Sequence, residues 1–208
     1  MTVKYLTIFV ILISALALAW DAGAQELSAD QVGQDASGHT FKSKIYMGQG
    51  KLRIESQEAP TTGSNAFDMP VTILDLTAGT GVLLNPNQKT YMDQPPIVAR
   101  RNVALWKLPG NTPCAKNSNS NGSATCRQIG MESVNGRNAE KWELVMTVGG
   151  QTATLHVWLD AKWHFILKQD GLGATGELLN IKEGPQPASL FEVPPDYHKM
   201  AVQGMGGR

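Results

Sequence analysis

The sequence predicts a mainly β protein, built from short antiparallel strands with one or two accompanying helices. Apolar and polar residues alternate with a period of two over much of residues 39–183, which is the pattern of strands that bury one face. Short turns rich in glycine separate these stretches, and such turns join antiparallel neighbours. One stretch alone, 97–108, has helical spacing. We therefore expect about eight to ten strands in one antiparallel β domain.

The first alternating stretch, residues 39–55, is typical of a β-hairpin. Apolar residues alternate with lysine, arginine and glutamate on both sides of the turn Gly48-Gln49-Gly50. A period of two on either side of a glycine turn indicates a hairpin with one buried face. The face turned inward is predicted to hold Phe41, Ile45, Leu52 and Ile54.

Residues 71–92 continue as a three-stranded meander. The predicted strands are 71–76, 82–85 and 89–92, and the turns between them contain Gly79, Gly81 and an Asn-Pro-Asn sequence. Connections this short keep consecutive strands antiparallel.

The stretch 97–108 departs from this alternation. Val98, Leu105 and Leu108 fall near helical spacing, and the preceding Pro95-Pro96 suits a first helical turn. A helix over 97–108 is therefore predicted, with Trp106 near its end.

The loop 109–125 is rich in Asn, Ser and Gly. Of the two cysteines of the chain, Cys114 lies within this loop and Cys126 directly follows it. In an oxidising compartment such a pair indicates a structural disulfide. Two thiolates alone are too few for a zinc site, and a redox pair is normally C-x-x-C.

The second half of the chain returns to strands. Residues 140–148 and 151–160 alternate on either side of Gly149-Gly150, and further strands are predicted near 163–170 and 177–183. The inward set of the first of these is Trp142, Leu144 and Met146. A short segment pinned by prolines, PASLFEVPPDY, closes the domain.

Between the last two of these strands, Gly171-Leu172-Gly173-Ala174-Thr175-Gly176 matches the dinucleotide pattern G-x-G-x-x-G. That site needs a helix directly after the loop, because the pyrophosphate binds at the helix N-terminus. The seven residues 177–183 before Gly184-Pro185 are too few for such a helix and suit a strand. We expect a hairpin turn, and no nucleotide or other cofactor.

The N-terminal residues 1–24 have the features of a signal peptide. Lys4 precedes an apolar run over 5–19, and small residues ending at Ala24 form a cleavage site. This run is shorter than the ~20 residues that span a bilayer as a helix. The sequence predicts a periplasmic or secreted protein, cleaved after Ala24 and then no longer integral to a membrane. A retained membrane anchor is the alternative.

Composition suits one globular domain without affinity for polyanions. We predict a flexible lead-in at 25–38, a β domain over 39–200 and a flexible tail at 201–208. The 18 basic and 18 acidic residues balance, so the chain lacks the basic surface that nucleic acids require.

No motif of a catalytic site stands out. The four histidines are scattered, and the chain has no G-x-S-x-G, H-E-x-x-H or EF-hand pattern. His156 and His164 could meet across a turn near Ala161, with Asp160 as a third ligand. A metal-assisted hydrolase built on these three residues is the only enzymatic alternative, and we expect no enzyme.

Five strings of the sequence are informative when taken together: KIYMGQGKLRIES, ILDLTAGTGVLLNPNQKTYM, ESVNGRNAEKWEL, HVWLDAKWHFILKQD and LLNIKEGPQPASLFEVPPDY. As a set they resemble a family of exported bacterial proteins of unknown function whose fold is similar to that of the LolA and LolB lipoprotein carriers. The resemblance spans about 39–200. It implies an open or half-closed antiparallel β-barrel with helices over its mouth, and no catalytic residues.

Two hypotheses follow for the function. The first is a non-enzymatic periplasmic protein that binds an apolar ligand, such as a lipid or a lipoprotein acyl chain, in a half-barrel cavity. The second is a structural, interaction or stress-sensing module of the cell envelope without a ligand cavity. The candidate cavity residues are Phe41, Ile45, Leu52, Ile54, Trp106, Trp142, Leu144 and Met146.

Overall fold

The computed structural model describes residues 26–57, 70–106, 112–114, 123–148 and 151–200. Within these residues, twelve strands form one open sheet, and a single α-helix packs against it. The helix is α1 (Pro96–Trp106). The strands are β1 (Leu27–Gln34), β2 (Thr40–Gly48), β3 (Lys51–Ser56), β4 (Val71–Asp75), β5 (Thr80–Asn85), β6 (Thr90–Asp93), β7 (Ser123–Val134), β8 (Arg137–Val148), β9 (Gln151–Asp160), β10 (Ile166–Gly171), β11 (Ala174–Glu183) and β12 (His198–Lys199).

The sheet has the order β12-β6-β5-β4-β3-β2-β1-β11-β10-β9-β8-β7. All neighbours are antiparallel except β12, which pairs parallel to β6. The end strands β12 and β7 do not pair with each other, so the sheet does not close. The predicted class, mainly β with an open antiparallel sheet and a helix over it, is confirmed.

The centre of the sheet is β1, which joins its two halves. β1 pairs with β2 on one side and with β11 on the other, from Leu27↔Glu183 to Gln34↔Thr175. The predicted flexible lead-in at 25–38 is therefore wrong for most of that range. Its polar sequence misled the prediction, because hydrogen bonding on both edges holds β1 in place with few apolar side chains.

Two further differences concern edges and bounds. β7 begins at Ser123, inside the predicted loop 109–125, and runs along the open edge with mostly exposed side chains, which removes the alternation that marks a half-buried strand.

α1 begins at Pro96, one residue before the predicted 97–108, and its predicted last two residues lie outside the described residues. The predicted signal peptide 1–24 and tail 201–208 also lie outside them. Within the described ranges, no helix is both long and apolar enough to cross a membrane.

One face of the sheet, which we call the inner face, packs against α1 and carries the main core. Strand pairing places Leu27, Met47, Leu52 and Leu74 in one transverse row of that face, and all four are buried. Val103 of α1 belongs to the same cluster. Burying leucine-sized side chains stabilises the fold by about 1.5–3 kcal/mol each, so this row anchors the helix to the sheet.

The opposite, outer face is covered near β4 and β5 by the C-terminal segment. Ala188–Phe191 forms a 3₁₀ turn whose Phe191 is buried. A Cβ on Gly48 would lie 3.1 Å from Phe191 Cε2, so the missing side chain of Gly48 makes room for the ring. Tyr197 packs near the buried cluster of Val71, Ile73 and Leu84.

The buried carboxylate of Asp160, at the end of β9, connects three segments of the chain. Its side chain is 2% exposed, and its Oδ2 accepts a hydrogen bond from Arg137 Nε at 2.5 Å. Its Oδ1 accepts from the backbone N–H groups of Lys162 and Trp163, at 3.0 and 2.8 Å. Arg137 Nη1 also donates to Glu183 Oε1 at 2.7 Å, so the network reaches from the β8–β9 hairpin to β11.

The predicted disulfide between Cys114 and Cys126 is confirmed, with a Cα–Cα distance of 5.6 Å. It links the segment that follows α1 to β7. Replacing both cysteines with serine is expected to lower the free energy of unfolding by about 3 kcal/mol, since the unfolded chain loses a closed loop. Chemical denaturation of the oxidised wild type and the double variant measures this, and superimposable curves would contradict it.

The interactions of the Asp30 carboxylate predict that the fold is less stable in acid. Its carboxylate accepts hydrogen bonds from Lys44 Nζ at 2.8 Å and Asn180 Nδ2 at 2.7 Å, at the point where the β1–β11 register shifts. These two hydrogen bonds hold the pKa of Asp30 below its ordinary value of 3.8, and the bond from Lys44 has the larger effect. A carboxylate with a lowered folded-state pKa stabilises the fold above its unfolded pKa and loses that effect as the pH falls through the folded pKa.

We therefore expect Asp30→Asn to lower the melting temperature at pH 6 and to lower it by less at about pH 2.5, because the wild-type carboxylate progressively loses its charge as the pH falls through its lowered pKa. Thermal unfolding followed by circular dichroism at the two pH values checks this. An equal deficit at both pH values would mean that the charge of Asp30 contributes nothing.

Candidate functional site

The inner face contains a cavity of about 140 Å³ between α1 and the centre of the sheet. Trp106, at the end of α1, forms one wall, and residues of β1, β10 and β11 form the others. The last residue of the helix thus lies over the junction at which β1 joins the two halves of the sheet. The lining residues are Gln31, Trp106, Ile166, Leu167, Gln169, Gly176, Glu177 and Leu178.

Two paired glycines leave a shallow depression in this region of the inner face, because neither has a side chain. Gly33 of β1 is the direct cross-strand partner of Gly176 of β11. The ring of Phe41 lies over Gly33, where an added Cβ would come within 2.5 Å of Phe41 Cζ. On the other side, Gln169 lies over Gly176, with its Nε2 at 3.4 Å from the position of an added Cβ. We call this depression at Gly33 and Gly176 the trough. It is covered by the ring of Phe41 and the amide of Gln169.

All seven strand residues predicted to face a cavity lie on the inner face. Strand register connects Phe41, Gly33, Gly176, Gln169, Val157 and Trp142 across the sheet, and paired residues share a face. Ile45 and Leu52 are fully buried in the core. Phe41, Ile54, Trp106, Trp142, Leu144 and Met146 are half-buried.

Of the eight predicted residues, only Trp106 lines the cavity. The others flank it on the same face. Sequence reasoning missed Gln31, Gln169, Gly176 and Leu178, because β1 was not expected and glutamine is not usually assigned to an inner face. The last glycine of the G-x-G-x-x-G pattern was the available signal, since a glycine inside a strand often marks a close approach.

The G-x-G-x-x-G pattern forms a hairpin, as predicted. β10 ends at Gly171, β11 begins at Ala174, and the two residues between them, Leu172 and Gly173, have φ values of 58° and 78°. Two consecutive positive φ values are those of a tight hairpin turn. Gly176 lies beyond the turn, inside β11, where it lines the cavity.

Charge around the cavity is sparse. Its one ionisable lining residue is Glu177, whose Oε1 accepts a hydrogen bond from Asn135 Nδ2 at 3.0 Å. No lysine, arginine or histidine of the described residues lines it. The cavity therefore has apolar walls with two neutral amides and no cation to bind an anionic group.

A second cleft, of about 680 Å³, lies where α1 begins, between β5 and the segment around Phe191. Two of its three acidic lining residues, Asp75 and Asp93, are engaged by other parts of the fold. Asp75 accepts hydrogen bonds from the backbone of Thr77 and Ala78, and Asp93 pairs with Lys199 at 2.6 Å. We therefore place the candidate site at the smaller cavity on the inner face.

The structure does not bring together His156, His164 and Asp160. His156 is the cross-strand partner of Asp170, far along the hairpin from the turn that contains His164, and its Nε2 lies 3.5 Å from Glu143 Oε2. Asp160 is engaged with Arg137 and two backbone N–H groups. Among the described residues, no group of three or more His, Cys, Asp or Glu side chains could hold a metal ion.

No protein-family model matches this sequence, and no curated protein matches it significantly. Among solved structures, an uncharacterised conserved protein from Thermus thermophilus matches with a TM-score of 0.51 and 12% identity, over 85% of this chain and 90% of the other. The two proteins share a fold. A LolA superfamily protein from Nitrosomonas europaea also matches, with a TM-score of 0.34 and 10% identity over 81% and 90% of the chains.

Proposed function

We propose that this protein is an exported, non-enzymatic carrier or receptor that binds an apolar ligand, or the lipidated tail of a partner, on the inner face of its sheet. The observation that carries the proposal is the cavity between Trp106 and strands β1, β10 and β11, which lies on the same face as the half-buried apolar residues Phe41 and Trp142. Ligand sites are typically concave and mostly apolar, with a few placed polar groups.

The size of the cavity limits what it holds in this conformation. At about 140 Å³ it resembles engineered protein cavities of roughly 150 Å³ that bind benzene. It therefore accommodates one ring or a short piece of an acyl chain. A longer chain would extend along the inner face over Phe41 and Trp142, and α1 would have to move away from the sheet to admit it.

The direct test is lipid extraction and mass spectrometry of the protein purified from its native envelope without detergent. A stoichiometric apolar molecule supports the proposal. Protein that carries no such molecule, and that binds no apolar dye in solution, would overturn it.

Filling the cavity gives a second test. In Gly176→Leu the new Cβ meets only the flexible end of Gln169, so the strand can remain while the side chain occupies the cavity. We expect affinity for a neutral apolar dye, N-phenyl-1-naphthylamine, which would place one ring in the cavity and the others along the inner face, to fall at least tenfold, because the site loses most of its volume.

The matched control is Gly130→Leu in β7, where an added Cβ meets nothing within 4 Å. This variant is expected to bind the dye as the wild type does. If both variants bind equally well, the dye site lies elsewhere.

A second candidate, an interaction module, is favoured by the edge strand β7. Ile129 and Met131 are 39% and 56% exposed on a strand whose outer backbone edge is unpaired among the described strands. Exposed edges of this kind accept a further strand from a partner. Co-purification of a stoichiometric protein, lost in Met131→Lys and without any bound lipid, would favour this function over the carrier.

A further inference from the structure

We infer that Gln31 and Gln169 make the cavity selective for an apolar chain that bears a neutral carbonyl, as in an ester or an amide. This inference rests on the proposed function, because it specifies the ligand of the same site. It concerns two residues that apolar patterning does not single out.

Both glutamines lie on the inner face next to the trough. Gln31 is the partner of Leu178 across β1 and β11, and Gln169 is the partner of Gly176 across β10 and β11. Each lines the cavity together with Ile166, and each is half-buried. Two amides thus interrupt an apolar wall on β1 and β10, the two strands that flank β11, where hydrocarbon side chains would be expected if the ligand were only hydrocarbon.

Neither amide is used by the fold. Within the described residues, the structure records no hydrogen bond from the side chain of Gln31 or of Gln169, and the polar atoms of both remain accessible. A side-chain amide carries two N–H donors and one acceptor. When a ligand covers such a group without bonding to it, the desolvation is unfavourable, whereas a carbonyl oxygen placed there accepts an N–H.

The charge of the lining determines which carbonyl fits. A free carboxylate or phosphate would find no cation among the described lining residues and would approach the carboxylate of Glu177. A neutral ester or amide carbonyl avoids that repulsion and still accepts from Gln31 or Gln169. The apolar part of the same ligand then contacts Leu167 and Leu178.

Four probes of matched length test the inference: methyl octanoate, N-methyloctanamide, octanoate and nonane. Their affinities are measured by displacement of N-phenyl-1-naphthylamine from the wild type and from the variant Gln31→Leu/Gln169→Leu. In the wild type we expect the ester and the amide to bind about tenfold more tightly than nonane or octanoate, which is the scale of one or two hydrogen bonds. In the variant the preference over nonane should disappear, while nonane binds as well or better; the weak binding of octanoate should remain, because Glu177 is still present. The ester and amide arms show which linkage is preferred.

Gln128→Leu is the matched control, because Gln128 lies on the same face opposite Trp142 but does not line the cavity. It should keep the wild-type preference. The single variants Gln31→Leu and Gln169→Leu serve if the double variant does not fold, as checked by thermal unfolding.

The outcomes separate two failures. Equal binding of all four probes to the wild type, or a preference for the ester and amide over nonane that survives both substitutions, would overturn the role of the glutamines and leave the carrier proposal standing. Failure of the dye and of every probe to bind would overturn the proposed function itself.

Discussion

Replacing Asp160 with alanine is expected to lower the free energy of unfolding by about 3–5 kcal/mol, the usual effect of removing one partner from a buried ion pair. The side chain of Arg137 is 19% exposed, and the substitution leaves its guanidinium with Glu183 as the one ion-pair partner among the described residues. It also removes the acceptor for the backbone N–H groups of Lys162 and Trp163. The turn between β9 and β10 and the link to β11 would both weaken.

Urea denaturation of Asp160→Ala, Asp160→Asn and the wild type measures this. The asparagine can still accept from the two backbone N–H groups but carries no charge, so its loss should be intermediate. Asp196→Ala is the control, since Asp196 pairs with Lys89 at the surface, where exposed ion pairs contribute little. Equal stability of Asp160→Ala and Asp196→Ala would show that burial of this carboxylate has no special effect.

Replacing Gly33 with valine should lower the free energy of unfolding by more than about 3 kcal/mol, at or beyond the upper end of overpacking effects. A Cβ at this position overlaps the backbone carbonyl oxygen of Thr175 and lies 2.5 Å from Phe41 Cζ. The ring can turn away, but the carbonyl belongs to β11 and moves only if β1 and β11 separate. The substitution therefore weakens the pairing of β1 with β11, which joins the two halves of the sheet.

The control for this variant is Gly130→Val, which adds the same atoms on β7 with nothing within 4 Å. It should unfold at about the same denaturant concentration as the wild type. Phe41→Ala combined with Gly33→Val separates the two contacts, because it relieves the ring overlap and leaves the carbonyl overlap. Recovery of most of the stability in the double variant would contradict the assignment to β1–β11 pairing.

The sequence was most informative where a strand has one apolar and one polar side. The hairpin of β2 and β3, the meander of β4 to β6 and the strands β8 and β9 were predicted close to their observed positions, because side-chain alternation reports burial directly. The same alternation placed Phe41, Trp142 and their partners on one face correctly.

β1 and β7 were missed for opposite physical reasons. β1 is paired on both edges and puts polar or small residues, Gln31 and Gly33, on its inner face, so its order comes from neighbours that are distant in sequence. β7 lies at the open edge, where most side chains are exposed and no alternation develops. Likewise, alternation could not distinguish Ile45, which is fully buried, from Trp142, which is half-buried on the same face.

The place of β1 in the sheet has a consequence for the order in which the chain folds. The hydrogen bond between Asp30 and Asn180 joins residues 150 positions apart, and β1 is the one strand that connects the two halves among the described residues. Contacts of such long range carry a large loop-closure entropy and slow the folding of β proteins. The half-sheet from β1 to β6 can form early from local hairpins, but its β1 edge stays open until β11 has been synthesised. The trough of Gly33 and Gly176, and with it the cavity, is consequently among the last parts of the molecule to assemble.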